Sequence, residues 1–160
     1  METIRVGMAD LKAGRNPCMI TTLGLGSCVG ISLHCRATYI AGMAHVMLPS
    51  SRQAWDNGNI AKFADTGIVE LVNRMLKLGA KRTSIVAKLA GGAQMFEFRD
   101  VTDIMRIGDR NVEASKEMLT RMRIPILAED CGLNFGRTIE LYSESGAVLV
   151  KTIGHGNKTI

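Results

Sequence analysis

The run Thr22-Leu23-Gly24-Leu25-Gly26-Ser27-Cys28-Val29-Gly30 places a thiol at the end of a turn rich in glycine. Gly24 and Gly26 allow positive φ or a close approach of backbone to substrate, and N–H groups around such a turn, from Gly26 and Ser27 onward, can point at a developing oxyanion. A cysteine there reads as a nucleophile if a base can take its proton, because a free thiol is mostly protonated at neutral pH. His45, in the apolar run Ala41-Gly42-Met43-Ala44-His45-Val46-Met47-Leu48-Pro49, is the candidate base. Two strands joined by a turn around Cys35 to Thr38 would return it to the neighbourhood of Cys28. The competing reading makes Cys28 a small buried hydrophobe and His45 a satisfied structural histidine. The residue types alone leave both open.

Other chemistries fit less well. A dinucleotide-binding loop would need a third glycine where Val29 stands, followed by a helix, and a strand follows instead. A phosphate-binding loop of the Gly-Lys-Ser/Thr kind is absent. Zinc ligation by Cys28, His34, Cys35 and His45 lacks any Cys-x-x-Cys or His-x-x-x-His pair, and the adjacent His34 and Cys35 would face opposite sides of a strand. No metal and no cofactor are therefore expected. Cys18 and Cys131 read as packing residues, His155 as solvated, and Gly91-Gly92-Ala93-Gln94-Met95-Phe96 as a turn or protein-contact loop. Asn111, Glu129 and Asp130 stand near element ends, where they either line a cleft or cap and turn the chain.

These side chains must be positioned by strands and helices, which hydrophobic patterning locates. Apolar, β-branched runs at 4–8, 18–23, 29–34, 40–48, 83–89, 124–129, 137–142 and 147–153 read as strands. Ile60, Phe63, Ala64, Ile68, Leu71, Val72 and Met75 recur at helical spacing within about 59–78, with Gly79 as the left-handed C-cap. A second helix is expected from Asp109, as N-cap, to Met122, before Pro125. Ser143-Glu144-Ser145-Gly146 reads as a hairpin turn. The expectation is one mixed α/β domain over residues 1–160, with 154–160 a loose tail.

The chain of 160 residues carries 46% hydrophobic and 22% charged residues, and its apolar stretches are too short to span a bilayer. Glu2 and the lack of an apolar h-region argue against a secretory signal, which points to the cytoplasm and to four reduced cysteines. The net charge of +5 comes from scattered Lys and Arg, and aromatics amount to only 4%. That distribution argues against a nucleic-acid reader and is compatible with attraction to an acidic protein.

Five blocks in order, Thr22 to Val29, Ala44-His45-Val46-Met47-Leu48-Pro49, Gly91-Gly92-Ala93-x-Met95-Phe96, Ile107-Gly108-x-Arg110-Asn111 and Glu129-Asp130-x-Gly132-Leu133-Asn134, resemble the CheD family of chemoreceptor glutamine deamidases. The resemblance extends from Val6-Gly7-Met8-Ala9-Asp10 to the hairpin near Gly146. One departure is Leu133, where the family pattern has a second glycine, and it bears on local loop shape only. The resemblance implies a layered α/β/β sandwich of mixed sheets with two main helices, similar to the catalytic domain of the cytotoxic necrotizing factor toxins. It also implies a catalytic set of Cys28 as nucleophile, His45 as general base and acid, and Thr22 orienting His45. The implied substrate is a glutamine side chain of a chemoreceptor cytoplasmic domain, with methylesterase activity in some members. A CheC-type phosphatase is an implied partner, and a non-catalytic adaptor binding CheC or receptor is the alternative reading. No nucleic acid and no membrane insertion are expected.

Overall fold

In the computed structural model, which describes residues 1–53, 58–95 and 106–160, strands of alternating and of uniform burial sort into two sheets. The outer sheet has the order β1 (Glu2–Val6), β3 (Cys18–Leu25), β8 (Arg137–Tyr142), β9 (Val148–Thr152), β10 (Gly156–Thr159). The central sheet has the order β2 (Asp10–Gly14), β5 (Ala41–Val46), β4 (Val29–Cys35), β6 (Ile85–Gly91), β7 (Ile126–Cys131). Each sheet is mixed: β1 runs parallel to β3 and β6 parallel to β7, while the other pairs are antiparallel.

Burial explains the layering. Every residue of β4 and β5 is buried, as expected for strands covered on both faces, whereas β8 alternates between buried and partly exposed positions and so has one face toward water. Helices α1 (Ala64–Lys77) and α2 (Ile107–Arg121) cover one face of the central sheet, and Ile31, Leu33, Ile68, Leu71, Met75 and Leu119 share the core between them. The outer sheet covers the other face, with Ile20, Leu25, Met43, Ile139, Leu141 and Val150 in a second core. The α/β/β layering expected of the chain is the one observed. His34 and Cys35 do face opposite ways: His34 Nε2 lies 2.6 Å from the Ser143 carbonyl oxygen between the sheets, and Cys35 sits in the helix-side core.

The helices differ from expectation at their starts. Ile60–Lys62 forms a single 3-10 turn capped by Asn59, whose side chain accepts from the Ala61 amide, and the extended Phe63 separates it from α1. Gly79, at φ +109°, ends α1 as expected. Helix α2 begins at Ile107, two residues before Asp109, which occupies its first turn where a carboxylate favours the helix dipole.

Two strands were not expected. β2 mixes charged and small residues over five positions and carries no strand-like composition. The supposed loose tail is corrected in part: Gly156–Thr159 pairs with β9 as an edge strand whose four residues are all exposed. Backbone pairing secures it, and Lys88 Nζ donates to the carbonyl oxygens of Gly146, at 3.0 Å, and Ile160, at 2.9 Å. A strand that buries no side chain leaves no hydrophobic pattern to read.

Candidate active site

Thr22 and His45 stand on different sheets and meet between them. Along β5 the even-numbered residues face α1, which comes so close that a Cβ on Gly42 would lie 2.8 Å from Leu71 Cδ1. The odd-numbered residues, His45 among them, therefore face the outer sheet. There the Thr22 hydroxyl lies 2.8 Å from His45 Nδ1 and 2.7 Å from the Val6 carbonyl oxygen, and both side chains are buried. A carbonyl oxygen can only accept, so the single hydroxyl proton goes to Val6 and the hydroxyl oxygen accepts from Nδ1–H. That assignment leaves the lone pair of His45 on Nε2, which is buried and has no hydrogen-bond partner among the described residues.

Cys28 shares the face of His45. Gly30 of β4 is directly opposite His45, and Cys28 is two residues before Gly30, one diagonal step from the imidazole. Cys28 is 8% exposed and packs in the core between the sheets. No hydrogen bond joins its thiol to His45 Nε2 in this structure. Its turn is pinned from below: the amides of Gly92 and Ala93 donate to the carbonyl oxygens of Cys28 and Gly26, both at 2.8 Å. Only glycine fits at 91, where φ is +108° and a Cβ would lie 2.3 Å from the Cys28 oxygen. The Gly26 amide, expected among the oxyanion donors, instead donates to the Gly24 carbonyl at 3.1 Å and shapes the turn. The amides of Ser27 and Cys28 follow it.

The electrostatics keep both groups neutral at rest. Burial pushes the Cys28 thiol up, opposed by its own backbone N–H. Burial pulls the His45 imidazole down, opposed by the charge of Asp10. Asp10 is the residue directly opposite His45 in the β2–β5 ladder, and its carboxylate is fixed by the amides of Gly7, at 3.1 Å, and Leu11, at 2.8 Å.

The remaining candidates lie elsewhere. Cys18 is enclosed in the inter-sheet core, and Cys131 borders a groove of about 630 Å³ beside α2, its thiol pushed up to about 11 by burial and by the Glu129 charge. Glu129 pairs with Lys116, Asp130 pairs with Arg137 and Lys158, and His155 stacks on Phe135. Phe96 falls outside the described residues. Among the described residues, no three His, Cys, Asp or Glu side chains cluster as metal ligands, and no helix is long and apolar enough to cross a membrane. Sequence reasoning missed the Val6 carbonyl, Asp10 and the part played by Asn111, whose side-chain Nδ2 lies 2.9 Å from the carbonyl oxygens of both Ser27 and Met47. A signal for Asn111 existed. It falls with Ser115 and Leu119 on one helix face at spacing four, so two polar residues occupy a buried stripe.

The family model described as CheD chemotactic sensory transduction matches residues 47–152. A protein of Lachnoclostridium phytofermentans named probable chemoreceptor glutamine deamidase CheD is 59% identical, over 99% of this chain and 99% of its own. Proteins of the same name from Caldanaerobacter subterraneus, at 57% identity over 98% and 97%, and Syntrophomonas wolfei, at 50% over 98% and 98%, are similar throughout. Among solved structures, the Bacillus licheniformis hypothetical protein YfiH has a TM-score of 0.50 at 14% identity, over 78% of this chain and 51% of that one. The Neisseria meningitidis protein NMB0706 has a TM-score of 0.52 at 9% identity, over 83% and 64%. At such identities the likeness concerns the fold alone. The matched family model and the full-length similarity to these relatives place the chain in the CheD chemotactic sensory transduction family.

Proposed function

We propose that the protein hydrolyses the side-chain amide of glutamine in a chemoreceptor cytoplasmic region to glutamate, releasing ammonia, with Cys28 as nucleophile. The observation that carries the reading is the Thr22–His45 hydrogen bond, which directs the imidazole lone pair to Nε2 on the face shared with Cys28. The relatives' name supplies the substrate class.

In this mechanism His45 Nε2 takes the Cys28 proton as sulfur attacks the carboxamide carbon, so the charges form only as the bond does. A raised thiol and a lowered imidazole suit that order, because they disfavour a thiolate–imidazolium pair in the resting enzyme. The hydrogen bond between them closes when substrate fills the site. The tetrahedral oxyanion is held by the amides of Ser27 and Cys28, and the imidazolium returns its proton to the departing ammonia. His45 then takes a proton from water, whose oxygen attacks the thioester carbonyl; glutamate leaves and the thiol is restored. Thr22 keeps the imidazole in the required tautomer, and Asp10 steadies the transient imidazolium. Exposed Leu23, Met95 and Leu133 lie on the segments joined to the turn and suit a glutamine presented on a protein surface.

Incubation with a chemoreceptor cytoplasmic fragment, followed by peptide mass spectrometry, should reveal conversion of glutamine to glutamate that is lost in Cys28→Ala. Conversion undiminished in that variant would sink the mechanism. The near-complete burial of Cys28 favours the second reading, an adaptor that binds receptor or a CheC-type phosphatase without chemistry. That reading expects partner binding with no conversion by the wild-type protein.

A further inference from the structure

We propose that Asn111 is a positioning residue that locks the Cys28 turn to the strand carrying His45. The proposal rests on the deamidase reading and adds a component to its site. The β4–β5 ladder ends at the pair Val29 and Val46. Cys28 and Met47 are the next residues on the two arms, and no ladder bond joins them. The Met47 amide turns away and donates to the Lys62 carbonyl at 2.8 Å. Asn111, reaching in from α2, supplies the missing rung: its Nδ2 donates one proton to the Ser27 carbonyl and the other to the Met47 carbonyl, each at 2.9 Å. The nucleophile's preceding residue and the residue two beyond the base are thereby held by one planar group.

Asparagine suits this place for chemical reasons. Two carbonyl oxygens must be met by two N–H donors in a fixed fork, which a carboxamide has and a carboxylate or a single hydroxyl lacks. The helix that carries it is seated on the same turn. A Cβ on Gly108 would lie 2.5 Å from the Ala93 oxygen and 2.6 Å from the Gly92 oxygen, so α2 approaches the 92–93 segment as closely as its backbone allows. That segment is the one whose amides hold the Cys28 and Gly26 carbonyls. Asn111 is fully buried, and its Oδ1 has no partner among the described residues. A buried orphan acceptor is a cost to stability. An apolar residue filling the same volume would avoid that cost but could not bridge the two arms.

The test compares wild type, Asn111→Ala and Leu119→Ala, the last a cavity-forming control in the same helix, by deamidation kinetics on a chemoreceptor fragment below each variant's melting temperature. Misplacing the nucleophile should lower kcat in Asn111→Ala on the order of 100-fold with KM little changed. Leu119→Ala should melt earlier yet keep the wild-type kcat. A folded Asn111→Ala with wild-type kcat, or an equal loss of kcat in both variants, overturns the proposal. A wild type that makes no glutamate counts against the deamidase reading instead, and iodoacetamide then tests the clamp alone: Cys28 in Asn111→Ala should be alkylated at least about 10-fold faster, as for local opening of a pinned turn, and an unchanged rate overturns it. Should Asn111→Ala not fold, solvent exchange of the Asn111 Nδ2 protons in wild type decides. Protection is expected, and exchange as fast as an exposed asparagine overturns the clamp.

Discussion

His45 Nδ1 lies 2.8 Å from the Thr22 hydroxyl across the interface of two sheets, and the same hydroxyl lies 2.7 Å from the Val6 carbonyl. Val6 and Thr22 are partners in the parallel β1–β3 pair, so the first strand of the chain sets the tautomer of a histidine on another sheet. A threonine hydroxyl carries no charge. It fixes orientation without adding basicity, which accords with an imidazole that burial already holds below its ordinary value.

Thr22→Val keeps the shape of the side chain and removes the hydroxyl, leaving Nδ1–H and the Val6 carbonyl unmet. The turnover rate should fall on the order of 10- to 100-fold, the kinetic equivalent of about 1–3 kcal/mol for unmet buried groups. Thr22→Ser should retain most of the activity. Glutamate formation on the receptor fragment reads both, and an active Thr22→Val would remove Thr22 from the catalytic set.

Protonation of His45 would remove the proposed base, so activity should decline as pH falls through a value below 6.5, the ordinary value for histidine. Asp10 raises the His45 value, so Asp10→Asn should move that acid limb to lower pH; a shift to higher pH would contradict the assignment. Stability follows the same sign. His34 and His45 are both lowered by burial, so below about pH 6.5 the unfolded chain takes up protons that the native state resists, and the fold should weaken with falling pH. Thermal melts between neutral and mildly acid pH check this.

Burial raises the Cys28 thiol above 9.0, its ordinary value. Iodoacetamide should therefore label it more slowly at neutral pH than it labels a free peptide cysteine, with a rate that climbs as pH passes 9. Peptide mapping separates Cys28 from the other three cysteines. Rapid labelling that is already level at pH 6–7 would show a resting ion pair and replace the general-base order of events.

Arg137 is an unusual element of the core. Its fully buried guanidinium donates to Asp130 at 3.2 Å and to the Gly132 carbonyl at 3.0 Å, with the Phe135 ring 4.8 Å away. Asp130 also meets Lys158 of β10 at 3.1 Å. Arg137→Met would leave a mostly buried carboxylate without its buried partner and should cost about 3–5 kcal/mol in denaturant titrations. A loss within a few tenths of a kcal/mol would show that water or Lys158 satisfies Asp130 without it.

What the amino-acid order determined by itself was local. The period of 3.6 through Ile68, Leu71, Val72 and Met75, the strand run over 137–142, and the positive φ open to Gly24 each depend on neighbours a few residues apart, and each is realised. The same order could not say which way His45 faces, because all six residues of β5 are buried and no alternation marks a side. Only the stacking of a second sheet decided that, by setting Thr22 opposite Nδ1. Tertiary structure alone also brought Asn111 to Ser27 across 84 residues, gave β2 its Asp10 opposite His45, and turned an exposed tail into β10. The physical reason is common to these cases. Hydrophobic patterning records how much of a residue is buried, whereas the partner it meets there is chosen by hydrogen-bond pairing and close packing between segments far apart in the chain.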